Sequence, residues 1–187
     1  DVKDFLYFKI DRKKKIFVST LLQALGYSKS EIVNEFYDKE NYYYDTNIKK
    51  WKTKFDPENY KAKNFSEEVV DAKNNKIIVK AGEKINFLTA KKLANNGLKE
   101  IYVSNQSLYG KFLHKDVSVD DDTFKIGTEV NETTLLKFLD SNIHSIEISK
   151  TNSINKGSYI LQTLLNDKNE NKIDAINEIY KMLRPGE

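Results

Sequence analysis

The stretch at residues 81–103 reads AGEKINFLTAKKLANNGLKEIYV, and it aligns without a gap onto residues 126–148, which read IGTEVNETTLLKFLDSNIHSIEI. The offset is 45 positions throughout and places Gly82 on Gly127. Each copy has the pattern of a strand that ends at a glycine turn, a short helix capped by asparagine, and a β-branched strand. One such β-turn-α-β unit cannot bury both of its faces alone. We therefore expect the two copies to pack together as one α+β module.

The segment before this module has a different pattern. Residues 5–10 place Phe5, Tyr7 and Lys9 on one face and Leu6, Phe8 and Ile10 on the other, which predicts a strand that is buried on at least one face. Helical periodicity begins at Ser19 and stops at Gly26, which is a typical C-terminal residue. The helical face of this segment carries Leu21, Leu22 and Leu25. A capping-box match at Ser28 predicts the start of a second helix.

The segment after the module returns to helix. Residues 159–183 contain two amphipathic patches, and residues 167–171 form a polar break between them. Terminal segments of one kind that enclose a module of another kind indicate an insertion in a host domain. The sequence thus predicts an α+β fold, in which residues 1–37 and 157–187 are host segments of mixed helix and strand. Residues 38–156 are the inserted α+β module with its two β-turn-α-β repeats.

Composition excludes several classes of function. The chain has 187 residues, 39% of them hydrophobic and 32% charged, with a net charge of only +3. Cysteine is absent, which excludes disulfides, thiolate zinc sites and cysteine nucleophiles. No apolar run approaches the roughly 18 residues of a membrane span, and no signal peptide is visible, so we expect a cytoplasmic protein without a membrane partner.

Catalytic and metal-binding motifs are not expected in this chain. The densest carboxylate cluster is Asp120–Asp122, and the residues after it supply no further ligands at the spacing of a calcium or magnesium loop. We interpret it as a solvated acidic loop. The sequence shows no phosphate-binding loop, nucleophile elbow or zinc-protease helix. We expect no catalytic residue, no metal site and no cofactor.

Three features could bind nucleic acid. The sharpest phosphate-binding candidate is the run Arg12–Lys15 beside Asp11, because consecutive cations attract a polyanion. Ser19–Tyr37 could form a helix-turn-helix, although its second helix offers few polar side chains and no arginine to contact guanine. Tyr42–Phe65 interleaves aromatic residues, among them Trp51, with lysines, and such a stretch could stack on single-stranded bases. For this last stretch a half-buried sheet with a lysine-rich edge is the alternative.

Three further stretches point to a known family. Residues 8–15 read FKIDRKKK, residues 21–27 read LLQALGY, and residues 178–187 read EIYKMLRPGE. Between them lie residues 82–103, followed by Tyr109-Gly110-Lys111 and by Lys115-Asp116. With these motifs, in this order, the chain resembles the β subunit of bacterial DNA-directed RNA polymerase. The resemblance is to its lobe, the second β domain, with the insertion found in proteobacteria.

This resemblance implies a function in transcription. The segment would be a non-catalytic lobe that forms part of the downstream DNA cleft of a nucleotidyltransferase. The residues that would contact DNA are Asp11, Arg12, Lys13, Lys14 and Arg184. Lysines at positions 13 to 15 depart from the arginines frequent in the family, and lysine keeps the charge but loses bidentate geometry. Implied partners are DNA and the other polymerase subunits (β′, α, ω and sigma), with a docking site for regulators on the insertion.

A different class of function stays open at this point. The chain could be a stand-alone nucleic-acid-binding or protein-interaction module. The absence of a starting methionine and the ending at Arg184–Glu187 favour a piece of a larger protein.

Overall fold

The computed structural model describes residues 5–61, 67–151 and 157–187. Within these ranges the chain forms a mixed α+β fold, as predicted. The strands are β1 (Tyr7–Lys9), β2 (Lys15–Phe17), β3 (Lys39–Asp45), β4 (Lys50–Lys54), β5 (Val69–Asp71), β6 (Lys76–Val79), β7 (Glu100–Val103), β8 (Phe112–Leu113), β9 (Val117–Val119), β10 (Asp122–Phe124) and β11 (Ser145–Ser149). The helices are α1 (Val18–Ala24), α2 (Lys29–Phe36), α3 (Phe87–Asn95), α4 (Glu132–Asp140), α5 (Tyr159–Asn166) and α6 (Lys172–Leu183).

The chain divides into two compact units. Unit 1 comprises the described residues of Asp1–Lys39, Gly110–Asn131 and Glu147–Glu187, and unit 2 comprises those of Glu40–Tyr109 and Glu132–Ile146. Residues 38–39, 110–131 and 147–151 of the predicted module therefore lie in the unit that also holds both predicted host segments. Which residues are host and which are insertion stays a prediction, because compactness does not show where an insertion begins.

Unit 1 is built from helices and small antiparallel pairs. Helix α1 packs against α2, α5 and α6, and β1 and β2 form a hairpin just before it. A buried cluster joins residues from α2 and α5 with the second repeat copy: Ile32, Val33, Tyr37, Ile126, Ile160, Leu161 and Leu164. A second hairpin pairs β9 with β10, and β8 pairs with the end of β11 through Leu113 and Ile148.

Unit 2 is an antiparallel sheet covered by a helix. Its strands follow the order β6-β5-β7-β4-β3, and the backbone N–H of Tyr44 in β3 donates to the carbonyl of His144, just before β11. On one face of β4 lie Trp51 and Thr53, which are opposite Val103 and Ile101 of β7. Helix α3 and the turn before it close the core, whose buried residues are Phe55, Tyr60, Val69, Val79, Ile85, Ala90, Leu98 and Ile101.

The predicted repeat is present in the structure, and its two copies share backbone angles and hydrogen bonds at equivalent positions. Gly82 and Gly127 have φ angles of 88° and 90°. At the helix ends, Leu98 N–H donates to Leu93 O at 3.1 Å and Ile143 N–H donates to Phe138 O at 2.8 Å, in the geometry of a Schellman motif. Asn86 caps α3 as predicted, because its side chain accepts from the N–H of Thr89.

The repeat is longer than its sequence signal. Asn75 and Asp120 also differ by 45 positions, and both are left-handed, with φ angles of 56° and 50°. The structural copies thus span residues 75–103 and 120–148. The first lies wholly in unit 2, whereas residues 120–131 and 147–148 of the second lie in unit 1. The second copy is therefore divided between the two units, and the packing of the two copies as one module stays a prediction.

The expectation that one face of the first strand is buried is wrong, and the most buried residues of the first helix are polar. Tyr7, Phe8 and Lys9 of β1 are all exposed, because the hairpin has only two strands and no layer covers both of its faces. In α1 the buried residues are the polar Ser19, Thr20 and Gln23, and Leu25 is 66% exposed. The stop at Gly26 and the capping box at Ser28 are confirmed.

Candidate nucleic-acid interface

The basic loop, residues 10–14, connects the two strands of the β1–β2 hairpin. The Oδ1 atom of Asp11 accepts hydrogen bonds from the backbone N–H of Lys13 at 2.8 Å and of Lys14 at 3.1 Å. The N–H of Ile10 donates to the carbonyl of Lys14 at 2.9 Å and closes the loop. Asp11 therefore fixes the backbone, and the side chains of Arg12 and Lys13 are exposed at the tip.

Aromatic contacts stiffen the hairpin below the loop. The ring of Tyr7 stacks on that of Phe17 with centroids 5.2 Å apart, and Phe5 meets Phe17 edge-on at 5.7 Å. The Lys15 ammonium lies 4.0 Å from the centroid of the Tyr7 ring, which places one more cation beside the loop. Such a cross-strand arrangement limits the motion of the loop.

A buried carboxylate holds the junction of the hairpin and α1. Asp167 is 3% exposed, and its Oδ2 accepts from Ser19 Oγ at 2.5 Å, Thr20 Oγ1 at 2.9 Å and Gln23 Nε2 at 3.1 Å. Its Oδ1 accepts from the backbone and side-chain nitrogens of Asn169, both at 2.9 Å. These bonds attach α1 to the connection between α5 and α6. Sequence reasoning missed this carboxylate, whose only visible signal was the polar break that it begins.

Arg184 lies at the other end of this arrangement. It follows the last residue of α6, and its Nη1 atom is 3.6 Å from Oε2 of Glu187. The guanidinium carbon is 6.0 Å from the ring centroid of Tyr180, whose hydroxyl donates to Glu187. Helix α6 packs on α1, and α1 directly follows β2. In the described part of the chain, the contacts of the basic loop and those of Arg184 are separate.

Comparison with known proteins decides the family. No family model matches the chain. The β subunit of DNA-directed RNA polymerase from Rhizobium leguminosarum bv. trifolii is 38% identical over 190 aligned residues, which cover 100% of this chain. The subunits from Rickettsia prowazekii and Rickettsia conorii are each 37% identical over the same extent. The chain belongs to the β-subunit family of bacterial RNA polymerase. It spans 14% of the length of these relatives.

The basic loop and Arg184 of this β-subunit segment lie within the matched region, because the match covers the whole chain. Family membership does not favour the alternative of a stand-alone module. The structure also argues against both nucleic-acid-binding features on which that alternative depended, the helix-turn-helix at Ser19–Tyr37 and the aromatic stretch at Tyr42–Phe65.

Two of the side chains that could contact bases from the predicted helix-turn-helix are already engaged in hydrogen bonds. In α2, Lys29 Nζ donates to the carbonyl of Asp167 at 2.9 Å, and Oδ1 of Asn34 is 2.7 Å from Nε2 of His114. These residues are two of the three polar side chains that the sequence offered for base contacts, the third being Glu35. They instead hold α2 within unit 1.

The prediction that Tyr42–Phe65 stacks on single-stranded bases is wrong for most of the aromatic residues in this stretch, because they are buried. Trp51 is 0% exposed, and its indole N–H donates to Asn105 Oδ1 at 2.8 Å. Tyr42, Phe55 and Tyr60 are also buried, and burial raises the pKa of Tyr60 to about 12. Phe65 and Lys63 lie outside the described residues. The alternative is correct in that a half-buried sheet forms, but its lysine-rich edge is wrong, because Lys50, Lys52 and Lys54 lie on β4, which pairs with β3 on one side and β7 on the other.

The remaining polar candidates are structural. Asp120 occupies the turn between β9 and β10, and the described residues contain no group of three or more acidic, histidine or cysteine side chains arranged to hold a metal. His114 is buried, and its Nδ1 lies 2.7 Å from the Ser149 hydroxyl. Burial lowers the pKa of His114. Among the described residues, none of the helices has the length and apolar character required to cross a membrane.

Proposed function

We propose that this β-subunit segment is a non-catalytic wall of the downstream DNA cleft and that its basic loop contacts DNA during transcription. The observation that carries the proposal is the loop itself, in which Asp11 fixes the backbone and Arg12 and Lys13 are exposed. A rigid hairpin that presents cations to solvent can neutralise phosphates without first ordering a flexible chain.

The residues of the basic loop have separate proposed roles. Arg12 contacts a base edge or a phosphate in bidentate fashion, and Lys13 and Lys14 neutralise phosphates as point charges. Oδ1 of Asp11 is used by the backbone, so Oδ2 is the oxygen that we propose accepts from a guanine edge. Arg184 contributes a further cation to the same cleft, a role that rests on the family resemblance.

The larger setting is part of the proposal. The relatives are named as subunits of a DNA-directed RNA polymerase. We propose that this segment likewise works within a nucleotidyltransferase, beside the β′, α, ω and sigma subunits and in the cytoplasm. In this reading it supplies no catalytic residue and no cofactor, and its contribution is a positioned, positively charged surface.

Fluorescence anisotropy of labelled, forked DNA tests the role of the loop. Between about 50 and 200 mM salt we expect weak binding that falls steeply, as for any contact made to phosphates. Arg12→Ala should weaken binding by about 1 kcal/mol or more. Lys115→Ala removes one exposed charge from the same unit outside the loop and serves as the matched control. Equal effects of the two substitutions, or no effect of either, would contradict the assignment.

Two substitutions of Asp11 separate its two roles. Asp11→Asn keeps an oxygen that can accept from the loop backbone but removes the negative charge, whereas Asp11→Ala removes both. If Asp11 accepts from a guanine edge, both variants lose preference for guanine in the unpaired strand. If it only shapes the loop, Asp11→Asn binds like the unmodified chain and Asp11→Ala alone is weakened.

A further inference from the structure

The two copies of the structural repeat carry opposite charge. Residues 75–103 contain six lysines against two glutamates, a net charge of +4. Residues 120–148 contain seven acidic residues against two lysines, a net charge of −5 with histidine neutral. Equivalent positions differ in sign, since Lys84 corresponds to Glu129. Both copies share the same turns and helix ends, so this charge is not required by the fold.

The positive charge of the first copy lies partly on the outer face of α3. Ala90 is 0% exposed and faces the core, whereas Lys91 and Lys92 are exposed. Leu88 is 68% exposed, one helical turn before these lysines. Two cations and a leucine at this spacing form one continuous helix surface, which we call the α3 face.

A half-buried aromatic ring extends the α3 face. The ammonium groups of Lys61 and Lys91 lie 4.8 Å and 5.0 Å from the centroid of the Phe87 ring. Lys61 also pairs with Glu58, so part of its charge is compensated. Two cations held at one ring repel each other, and an anionic group bound beside them would relieve that repulsion.

We propose that the α3 face is a docking surface for an acidic, amphipathic segment of a partner protein. Charge complementarity favours an acidic ligand, and the exposed Leu88 beside the two lysines favours one with apolar side chains of its own. Phosphodiester groups would leave that leucine without a partner. Arginine, which forms bidentate phosphate contacts, is absent from the first copy.

This proposal goes beyond the proposed function and does not depend on it. The α3 face belongs to unit 2, whereas the basic loop belongs to unit 1. Substitutions on one surface can therefore be scored separately from substitutions on the other. Loss of DNA binding in Arg12→Ala carries no consequence for the α3 face.

The test uses the whole chain and a synthetic probe. The probe is a fluorescein-labelled peptide of about 18 residues, five helical turns, with leucines three and four positions apart and glutamates elsewhere. A second peptide has the same composition in an order without helical periodicity, and duplex DNA is the third probe. Lys92→Glu reverses one charge on α3, and Lys137→Glu makes the same change at the equivalent position of α4. Leu88→Ser removes the apolar part of the face.

The proposal expects the amphipathic peptide to bind more tightly than the other two probes. Lys92→Glu should weaken that binding by about tenfold, and Lys137→Glu by no more than about twofold. Leu88→Ser should also weaken it. Circular dichroism shows that each variant is folded, and Lys92→Gln repeats the test without introducing a like charge. Equal binding of both peptides, tighter binding of DNA through Lys92, or no binding of any probe would each overturn the proposal.

Discussion

At the residue scale, Gly82 and Gly127 occupy equivalent positions of the repeat but have different surroundings. A Cβ atom at Gly127 would lie 2.3 Å from the carbonyl oxygen of Leu161 and 3.2 Å from the Cβ of Leu165. A Cβ atom at Gly82 would meet nothing within 4 Å, although both glycines have the same left-handed backbone. Gly82 is therefore required for its φ angle alone, and Gly127 for its φ angle and for close packing on α5.

Alanine substitution of the two glycines should separate these effects. Gly82→Ala is expected to lower the free energy of unfolding by about 1 kcal/mol, the cost of a left-handed alanine. Gly127→Ala is expected to cost about 3 kcal/mol, because the methyl group must also displace backbone atoms. Urea denaturation followed by circular dichroism measures both. Similar losses in the two variants would show that α5 moves away at little cost.

His114 is the residue whose ionisation should matter near neutral pH. Its Nε2 atom donates to Oδ1 of Asn34, so the neutral ring accepts from the Ser149 hydroxyl through Nδ1. The pKa of His114 is lowered, first by burial and also by Lys39, while Glu147 and Asp38 act in the opposite direction. The folded protein thus binds the proton less readily than the unfolded chain does.

This difference predicts a loss of stability in mild acid. Above the ordinary histidine pKa of 6.5 the contribution of neutral His114 is fully present, and it is lost as the pH falls below that value, because the unfolded chain then takes up a proton that the folded one does not. Thermal unfolding between about pH 7.5 and 5.5 should show a falling melting temperature. His114→Gln should flatten the dependence, and His144→Gln should not. If the melting temperature of His114→Gln still falls with pH as in the unmodified chain, other groups cause the effect.

At the element scale, the Asp167 carboxylate determines which face of α1 is buried. Ser19, Thr20 and Gln23 lie on that face, and each donates to Oδ2 of Asp167. These hydrogen bonds offset most of the cost of burying a polar helix face, because one carboxylate oxygen can serve several donors; only Oε1 of Gln23, among the buried side-chain atoms described, has no hydrogen-bond partner. The leucine-bearing side of the helix is correspondingly less buried, with Leu25 at 66% exposure.

Removal of this carboxylate should destabilise unit 1 strongly. Asp167→Ala leaves donors from α1 and from Asn169 without an acceptor in the interior, and we expect a loss of about 3 kcal/mol or more in the free energy of unfolding. Ser19→Ala removes one of those donors and should cost about 1 kcal/mol. Asp121→Ala, at an exposed position, is the matched control. Chemical denaturation compares the three, and an Asp167→Ala loss no larger than that of Asp121→Ala would contradict this role.

At the scale of the whole molecule, the two proposed binding surfaces belong to different compact units. Unit 1 presents the basic loop and Arg184, on which the DNA-cleft proposal rests, and unit 2 presents the α3 face. The net charge of +3 conceals this distribution, because the two repeat copies nearly cancel. A total charge therefore says little about binding surfaces in this protein, and the placement of the charges on elements says more.

Features that depend on near neighbours in the chain were predictable from the sequence. The repeat, the capping box at Ser28, the asparagine cap at Asn86 and the polar break before α6 all follow from residues within a few positions of each other. Family membership was likewise visible in short motifs such as residues 8–15 and 178–187. Turn and cap chemistry is local, since it satisfies backbone groups at the point where a helix or strand ends.

Which residues are buried depends on contacts between parts of the chain that are far apart in sequence. The contact between Ser19 and Asp167 joins residues 148 positions apart, and the Tyr37 hydroxyl reaches the carbonyl of Gly157 over 120 positions. Its position among lysines and other aromatic residues marked Trp51 as a candidate for base stacking, whereas the pairing of β4 between β3 and β7 places it inside. Burial depends on which residues pack against a side chain, and the local sequence pattern does not specify those residues. The basic loop was predictable as a cluster of charge, but its rigid backbone around Asp11 emerged only with the hairpin.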